Sequence, residues 1–364
     1  MPRILLTVTN DLTYDQRMQR ICTSLSQAGY ETVLIGRKLN NSTDLKLQSF
    51  AQKRLYCFFS KGILFYTEYN LRLFIYLLFA KADAFCAIDL DTIMPCYLAS
   101  TIRKKKRIYD AHELFTEQKE IVTRPLIHKV WLAIERFAVP RFRHGYTVNF
   151  FIKQELNRRY AADYEIVRNL PTQQTLAKVE KFATPTLIYQ GAVNEGRSFE
   201  TLIPAMKQIN ATLLICGVGN FLTQAMELAK EHAVEDKVIF KGAVAPAALQ
   251  PLTQQCHIGM MLFEDTGLNQ YYSLANRFFD YMMAGIPQVC VGYPEYAAII
   301  KDHPFAYLIH NTREETIAVA VNKLLQNNVL YNELEKNAIN ASGILNWGQE
   351  EKKLIAFWKA VFEN

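Results

Sequence analysis

The stretch Arg3–Ile35, RILLTVTNDLTYDQRMQRICTSLSQAGYETVLI, decides the fold class of this chain. It begins with a short apolar run, Arg3–Thr9, and continues with a helical pattern of apolar residues that stops at Gly29. A β-branched run, Glu31–Ile35, ends it. A strand, a helix and a second strand in this order predict a βαβ unit, whose connection is right-handed in a parallel sheet.

The same alternation continues along the chain, pauses around Ile166–Thr172 and a polar stretch, Gln173–Pro185, and then begins again. Further strands are predicted at Ala84–Ile88, Arg107–Asp110, Gly145–Val148, Thr186–Tyr189, Thr212–Cys216, Val238–Phe240, Ile258–Leu262 and Gln288–Val291. The helices predicted between the later strands are Ser198–Gln208, Phe221–His232, Pro246–Gln255 and Leu274–Ala284. The chain is therefore expected to be α/β, with two successive Rossmann-like sheets.

The length of 364 residues exceeds what one hydrophobic core usually supports, so two domains are expected. The pause places the N-terminal domain at residues 1–168 and the C-terminal domain at 169–345. The last stretch, residues 346–364, has amphipathic helical spacing, and we expect this helix to pack back on the first domain.

Composition describes an ordinary globular protein with a mild basic excess. Half of the residues are hydrophobic, 21% are charged, and the formal net charge is +6. This charge suits acidic substrates or an anionic membrane surface without selecting either. The seven cysteines show no CxxC spacing, which indicates a reducing compartment rather than a disulfide framework or a zinc site. The apolar run at the N-terminus is too short for a signal peptide, so a cytoplasmic protein is expected.

The richest apolar stretch is Gly62–Ala84, which is interrupted by Glu68, Arg72 and Lys81. These charges disfavour a membrane-spanning helix. Two interpretations stay open: a buried or amphipathic helix of the globular domain, and a helix that lies on a membrane surface.

Ligands of doubly wound sheets bind beyond the carboxyl ends of the strands, which directs attention to the residues that follow each strand. After the first strand come Asn10, Asp15 and Arg17, which either contact a sugar or acceptor or belong to a solvated loop that caps the next helix. After Asp110 come His112 and Glu113. A histidine between two carboxylates at a strand end can orient and polarise a sugar hydroxyl or a diphosphate.

Glycines and a cation follow the first strand of the second half. Gly191 and Gly196 precede Arg197 where a helix is expected to begin, and such a turn suits a phosphate group because backbone N–H groups and a cation face it. The turn with Gly217 and Gly219 is a weaker signal, since tight strand–helix turns need glycine in any case.

The most informative segment is Ser273–Pro287, SLANRFFDYMMAGIP. Asn276 and Asp280 are four residues apart and share one helix face, and Arg277 follows Asn276. Asp280 lies in an apolar run, where an ionised carboxylate needs a partner. A ribose diol could supply that partner, and so could a neighbouring arginine or a backbone amide.

Together, and in this order, Asp110–Glu113, Gln190–Arg197 and Asn276–Pro287 resemble the retaining GT-B-fold glycosyltransferases of family 4, in the glycosyl transferases group 1 superfamily. The resemblance covers essentially the whole chain. It implies two Rossmann-like domains that face each other across a cleft. It also implies a hexosyltransferase (EC 2.4) that moves a sugar from a nucleoside-diphosphate donor, with a UDP-sugar favoured, to a hydroxyl of a glycan or lipid-linked acceptor in cell-surface polysaccharide synthesis.

Three positions match the catalytic residues of that family. The resemblance implies that Arg197 binds phosphate, that Asp280 grips the nucleotide ribose in place of the commoner Glu, and that His112 lies near the donor sugar. The full expected donor-binding set is Gly191, Arg197, Gly217, Gly219, Asn276, Arg277 and Asp280. The expected acceptor-side set is Asn10, Asp15, Arg17, Asp89, Asp91 and Glu113.

Two positions depart from the family pattern. Tyr272 stands where a first carboxylate is often found, and Ala192 stands where an arginine often follows Gly191. Two alternatives therefore stay open: a nucleotide-sugar 2-epimerase of the same architecture, which the segment Asn276–Pro287 disfavours, and a catalytically degenerate binding subunit.

Two further short motifs bear on metals and partners. Asp89-Leu90-Asp91 superficially matches a DxD metal site but lies in the first domain, so no metal and no cofactor are expected beyond the nucleotide-sugar co-substrate. The basic run Arg103–Arg107 is either a solvated face or a contact with anionic lipid headgroups on the inner face of a membrane. Because no aromatic interleaving or RNA-binding motif accompanies the run, nucleic-acid binding is not expected.

Overall fold

The computed structural model describes residues 1–174, 176 and 179–363 and contains two parallel sheets. The chain forms two compact units. Unit 1 comprises Met1–Asn169 and Glu350–Asn364, and unit 2 comprises Leu170–Gln349. Part of the predicted polar stretch, Thr175, Ala177 and Lys178, lies outside the described residues, as does Asn364.

Unit 1 is built on a seven-stranded sheet with the order β3-β2-β1-β4-β5-β6-β7. The strands are β1 (Arg3–Thr7), β2 (Glu31–Lys38), β3 (Ala51–Tyr56), β4 (Ala84–Ile88), β5 (Lys106–Ala111), β6 (His144–Thr147) and β7 (Glu165–Ile166). The helices are α1 (Gln16–Gln27), α2 (Gly62–Phe79), α3 (Ile93–Arg103), α4 (Lys119–Val122), α5 (Pro125–Ala138) and α6 (Phe150–Tyr160). The strand order reverses at β1, so the carboxyl ends of β1, β4 and β5 lie side by side.

Unit 2 has a six-stranded sheet with the order β10-β9-β8-β11-β12-β13. Its strands are β8 (Thr186–Gln190), β9 (Thr212–Cys216), β10 (Val238–Gly242), β11 (Ile258–Met261), β12 (Gln288–Val291) and β13 (Ala306–Ile309). Its helices are α7 (Phe199–Ala205), α8 (Leu222–Glu231), α9 (Pro246–Gln255), α10 (Leu268–Tyr271), α11 (Asn276–Met283), α12 (Pro294–Asp302), α13 (Glu314–Gln326) and α14 (Asn328–Ser342). Here the order reverses at β8, which brings the ends of β8, β9 and β11 together.

Helix α1 shows why the opening stretch folds as it does. The Asp15 carboxylate caps its first turn by accepting a hydrogen bond from the Met18 backbone N–H at 2.9 Å. Gly29 follows its end with a φ of +92°, a conformation that costs glycine little. The face that contains Met18, Ile21 and Leu25 is buried against the sheet.

The last helix, α15 (Trp347–Glu363), enters unit 1 at Glu350. The Glu350 carboxylate accepts a hydrogen bond from the Arg168 backbone N–H at 2.8 Å. Trp358 is fully buried, and Phe357 packs edge-on against Tyr146 of β6 at 5.1 Å between ring centroids. The amphipathic face predicted for this helix therefore contributes to the core of unit 1.

Every predicted strand is confirmed to within a few residues, and three strands escaped prediction: β3, β7 and β13. The predicted helix over Ser198–Gln208 is shorter than expected, because α7 ends at Ala205 and a 3₁₀ turn follows. All seven cysteines are buried free thiols. Within the described chain, no helix is long and apolar enough to cross a membrane.

Candidate functional site

Four polar side chains of unit 1 meet beyond the ends of β1, β4 and β5. Asp89 and Asp91 follow β4, and Asp89 accepts hydrogen bonds from both the backbone N–H (2.9 Å) and the ring Nδ1 (3.1 Å) of His112, which follows β5. Thr9, after β1, donates its hydroxyl to Asp91 at 2.6 Å. Asp89, Asp91 and His112 thus lie at one edge of the sheet because each of them follows one of two adjacent parallel strands.

Asp89 and His112 form the most strongly constrained pair of this cluster. Asp89 has a φ of +57° and a ψ of 177°, a strained backbone conformation for a residue with a side chain. Two effects act to lower the pKa of His112, namely burial and the positive charge of Arg17. The carboxylates of Asp89 and Asp110 outweigh both effects and raise the pKa of His112 above its ordinary value.

Asp91 lies deeper than Asp89. Burial, reinforced by the negative charge of Asp89, raises the pKa of Asp91 to about 7, although the hydrogen bond from Thr9 acts in the opposite direction. A carboxyl group with this pKa can exchange a proton near neutral pH.

Arg17 forms a buried ion pair within unit 1. Its guanidinium is buried and donates two hydrogen bonds, at 2.5 and 2.9 Å, to the fully buried carboxylate of Asp110. This pair joins α1 to the end of β5, and each charge compensates the other's loss of water. The guanidinium expected on the acceptor side therefore supports the strand end that carries His112.

The other acceptor-side candidates make local contacts. Asn10 donates to Asp15 at 2.6 Å and accepts from the Leu12 backbone N–H at 2.9 Å, so this pair organises the loop that caps α1. Glu113, half-buried, accepts a hydrogen bond from Gln118.

In unit 2, two glycine turns lie against each other beyond β8 and β9. The Gly191 backbone N–H donates to Cys216 and the Val193 backbone N–H to Val218, at 2.9 and 3.0 Å. A Cβ on Gly217 would lie 1.8 Å from the Gly191 carbonyl oxygen, and one on Gly219 would lie 2.1 Å from the Val193 carbonyl oxygen. Both predicted glycines are thus required by backbone packing, which holds the turn at Gly191 in place.

Two guanidinium groups gather around one aromatic ring next to this turn. Arg197 lies 4.2 Å and Arg277 4.4 Å from the centroid of Phe263, measured from the guanidinium carbon. Arg277 is buried and donates to the Tyr189 hydroxyl at 2.9 Å, and its Nη1 lies 3.4 Å from the position a Cβ would take on Gly191.

The Asp280 carboxylate is held by a hydrogen bond from the last residue of β8. Its Oδ2 accepts a hydrogen bond from the Gln190 side-chain amide at 3.1 Å, and Gln190 in turn accepts one from the Thr253 hydroxyl at 2.8 Å. Asn276 is exposed and lies one turn earlier on the same helix, α11, so the two side chains share a helix face as their spacing predicts. The structure therefore brings Gly191, Arg197, Arg277 and Asp280 to one end of the second sheet.

Sequence reasoning missed Phe263 and Gln190 as members of this site. Phe263 ends the apolar run that contains β11, and Gln190 is the last residue of β8, so each occupies a strand end where a ligand-facing residue is expected. The signal was available, but an aromatic residue after an apolar strand is indistinguishable in sequence from core. Across the described residues, no group of three or more His, Cys, Asp or Glu side chains is placed to hold a metal ion.

Comparison with known proteins agrees with this architecture. Residues 173–341 match the family model described as glycosyl transferases group 1. No curated protein matches the sequence. Sucrose-phosphate synthase from Thermosynechococcus elongatus superposes with a TM-score of 0.81 at 15% identity and full coverage of both chains.

Two further solved structures are similar over nearly their whole length. Anabaena HepE in complex with UDP-glucose has a TM-score of 0.74 at 10% identity, with 99% of this chain and 100% of that chain covered. WaaG, a glycosyltransferase involved in lipopolysaccharide biosynthesis, has a TM-score of 0.67 at 13% identity, with 97% and 98% covered. The chain thus has the two-sheet α/β fold of the GT-B glycosyltransferases, and its second unit carries the match to glycosyl transferases group 1.

Proposed function

We propose that this protein is a glycosyltransferase of family 4 that transfers a sugar, with retention of the anomeric configuration, from a nucleoside-diphosphate donor to a hydroxyl acceptor. The observation that carries the proposal is the arrangement of Arg197, Arg277 and Asp280 around the turn at Gly191. It combines two cations with one carboxylate, which are the charges that a diphosphate and a ribose need.

Arg197 and Arg277 stabilise the diphosphate leaving group in this proposal. Arg277 lies beside the turn at Gly191, and Arg197 shares the ring of Phe263 with it, so both positive charges are near the place where negative charge develops as the glycosidic bond breaks. Because Arg277 is already held by Tyr189 and Phe263, little reorganisation accompanies the reaction. We propose that these groups act without a metal ion.

Asp280 binds the ribose of the donor. The amide of Gln190 holds one carboxylate oxygen, which leaves the carboxylate oriented at the end of the sheet where it can accept hydrogen bonds from a diol. Anabaena HepE forms complexes with UDP and with UDP-glucose, which supports a UDP-hexose as the donor here.

His112 acts on the transferred sugar. Its raised pKa keeps a larger protonated fraction near neutral pH, so its ring can donate a hydrogen bond to a sugar hydroxyl or to the leaving oxygen. The acceptor in this proposal is a glycan or lipid-linked hydroxyl used in cell-surface polysaccharide synthesis, with the enzyme in the cytoplasm or on the inner membrane face. Similarity to WaaG supports this acceptor class.

Thermal-shift measurements with UDP-, GDP- and ADP-sugars test donor binding. A ligand at about 100 times its dissociation constant stabilises the folded state by roughly 2.7 kcal/mol, so a bound donor raises the unfolding temperature measurably. Asp280→Ala should abolish the shift, whereas Asp236→Ala, an exposed aspartate of the same unit, should keep it. Wild-type donor affinity in Asp280→Ala would reject the ribose assignment.

Turnover separates the transferase from its alternatives. His112→Ala should keep donor affinity and lower nucleotide release by about 100-fold or more, in the range expected for a lost acid–base or polarising group. Interconversion of the nucleotide sugar without transfer would identify an epimerase. Tight donor binding without any turnover would identify a binding subunit, the outcome that Tyr272 in place of a carboxylate allows.

A further inference from the structure

We propose that unit 1 carries a docking surface for an anionic phospholipid bilayer, formed by the outward faces of α2, α3 and α5 together with a basic pocket beside them. Three features carry this inference: exposed apolar side chains at helical spacing, a cation-lined pocket next to them, and the scarcity of acidic groups on the same helices.

Helix α2 is apolar on two opposite faces. Its inner face buries Tyr69, Leu73 and Leu77. Leu71 and Phe79 lie two positions further along, about 200° around the helix, and face solvent, with Phe79 83% exposed. A helix with apolar residues on two opposite faces is normally covered on both, so the outer face of α2 favours an apolar or interfacial neighbour.

The neighbouring helices extend this apolar surface. On α3, Ile102 is 62% exposed, and on α5, Leu126 is 79% exposed. The three helices lie side by side, because Tyr66 of α2 contacts Trp131 of α5 and Tyr97 of α3 contacts Phe137 of α5, each ring pair at 5.3 Å. The exposed apolar residues of these helices are Ile63, Leu64, Leu71, Ile75, Phe79, Leu98, Ile102, Leu126, Ile127, Val130 and Phe137.

A basic pocket of about 480 Å³ opens beside α3 and α5. Its cationic lining is Lys105, Lys106, Arg107, Arg141 and Arg143, with His144 beside them. Arg107 stacks 4.9 Å from the ring of Tyr97, and Arg141 4.1 Å from that of Phe137, so the cations join the apolar surface directly. Burial and the nearby charges of Lys106 and Arg143 lower the pKa of His144, which agrees with a local excess of positive charge.

Acidic groups are scarce on this surface. Residues 98–107 and 124–143 together contain ten Lys and Arg residues and one acidic residue, Glu135. Helix α2 adds one more, Glu68, which is paired with Arg72 at 2.8 Å. Glu135 is buried and accepts hydrogen bonds from Thr116 and Tyr160, so it does not face outward. Asp83 is paired with Lys105 at 3.3 Å. An apolar surface joined to concentrated positive charge complements the headgroups and acyl chains of an anionic bilayer.

Co-sedimentation with vesicles of phosphatidylcholine alone, or of equal parts phosphatidylcholine and phosphatidylglycerol, tests the proposal. The wild-type chain should bind the mixed vesicles and release them at high salt, and should bind pure phosphatidylcholine weakly. Lys106→Glu with Arg143→Glu should weaken binding about 25-fold or more, since each lost cation near an anionic surface accounts for about fivefold. Phe79→Ser with Ile102→Ser should weaken it as well.

Matched variants on unit 2 provide the controls. Lys230→Glu with Lys336→Glu repeats the charge reversal, and Val319→Ser with Val329→Ser repeats the apolar replacement at exposed positions. These should bind like the wild type, and unfolding temperatures of all variants show whether each is folded. Absence of vesicle binding by the wild type, or equal losses in the control variants, overturns the proposal. So does a lipid-independent dimer that only Phe79→Ser with Ile102→Ser dissociates, because the surface would then join two copies of the chain.

Discussion

At the residue scale, the buried carboxyl of Asp91 makes the stability of this protein depend on pH in a defined window. Its pKa is about 7 in the folded chain and near the ordinary 3.8 when unfolded. Both states are protonated at low pH, and between these two values only the unfolded chain ionises. Stability therefore falls as pH rises through this window and levels off above it. We expect a loss of roughly 3 kcal/mol between about pH 5 and pH 8 from this group alone.

Asp91→Asn isolates this contribution because asparagine keeps an acceptor for the Thr9 hydroxyl but cannot ionise. Denaturant unfolding of both proteins at several pH values measures the difference. The variant should be more stable than the wild type at about pH 8 and should lose most of this advantage near pH 5. A constant difference across this range would show that Asp91 is ionised throughout.

The ion pair between Asp89 and His112 predicts a measurable shift in a second pKa. Because the Asp89 carboxylate raises the pKa of His112, Asp89→Asn should lower that pKa while keeping an oxygen for the His112 backbone N–H. An NMR titration of the histidine ring protons detects the change. Glu113→Gln is the matched control and should leave the titration of His112 close to that of the wild type; an equal shift in both variants would contradict the specific role of Asp89.

The strand-end rule singled out His112, whereas Asp89 and Asp91 were expected from the family resemblance and their DxD-like spacing; all three follow parallel strands, whose ends meet. The same rule could not foresee that Arg17 is buried. That outcome depends on Asp110, which lies 93 residues away in sequence and meets Arg17 only once the sheet has formed and α1 lies against it. Local pattern carries no information about such a pair, and a basic residue after a capping aspartate looks exposed.

At the element scale, the two glycine turns that lie against each other in unit 2 predict that the stability of the protein depends steeply on side-chain size at Gly217. Gly217→Ala would place a Cβ 1.8 Å from the Gly191 carbonyl oxygen, a backbone atom that cannot move aside alone. We expect a loss of about 3 kcal/mol or more in unfolding free energy, together with weaker donor binding, because the turn at Gly191 would be displaced.

Gly242→Ala provides the comparison within the same sheet. Gly242 has a φ of +66° but has no atom within 4 Å of its Cβ position, so alanine there pays only for its backbone conformation, about 1 kcal/mol. Urea unfolding and donor titration of both variants separate the two effects. Equal losses in the two variants would mean that backbone conformation, rather than the contact with Gly191, determines the need for glycine.

The strands that escaped prediction show where pattern fails. β3 has the sequence AQKRLY and pairs only with β2, at the edge of the sheet. Its charged residues, which are common on edge strands, interrupt the apolar pattern by which a strand is predicted. β7 contains two residues, too few for any periodicity. β13, with the sequence AYLI, is only four residues long and is an edge strand of the sheet of unit 2. The central strands were predictable because parallel strands covered on both faces are nearly continuous apolar runs.

At the scale of the whole molecule, each unit is one doubly wound sheet with its own core, and the βα alternation was sufficient to predict two of them. Strand order was not predictable to the same degree, because the alternation does not state on which side of β1 or β8 the next strand is added. The return of the last helix to unit 1 is determined by tertiary packing. Helix α15 buries Trp358 in the core of unit 1, although some 180 intervening residues form unit 2.

We therefore expect Trp358→Ala to destabilise unit 1 selectively. Truncation of a fully buried tryptophan costs about 3–5 kcal/mol, and the cavity borders Phe357 and Phe362, which pack against its ring. In calorimetry, the unfolding transition that a donor nucleotide does not shift should move to lower temperature, while the transition that the nucleotide raises stays in place. Lys359→Ala, an exposed position on the same helix, should move neither transition. If one transition fell in Trp358→Ala and the nucleotide restored it, the two units would unfold as a single cooperative body, and the assignment of α15 to the stability of unit 1 alone would be wrong.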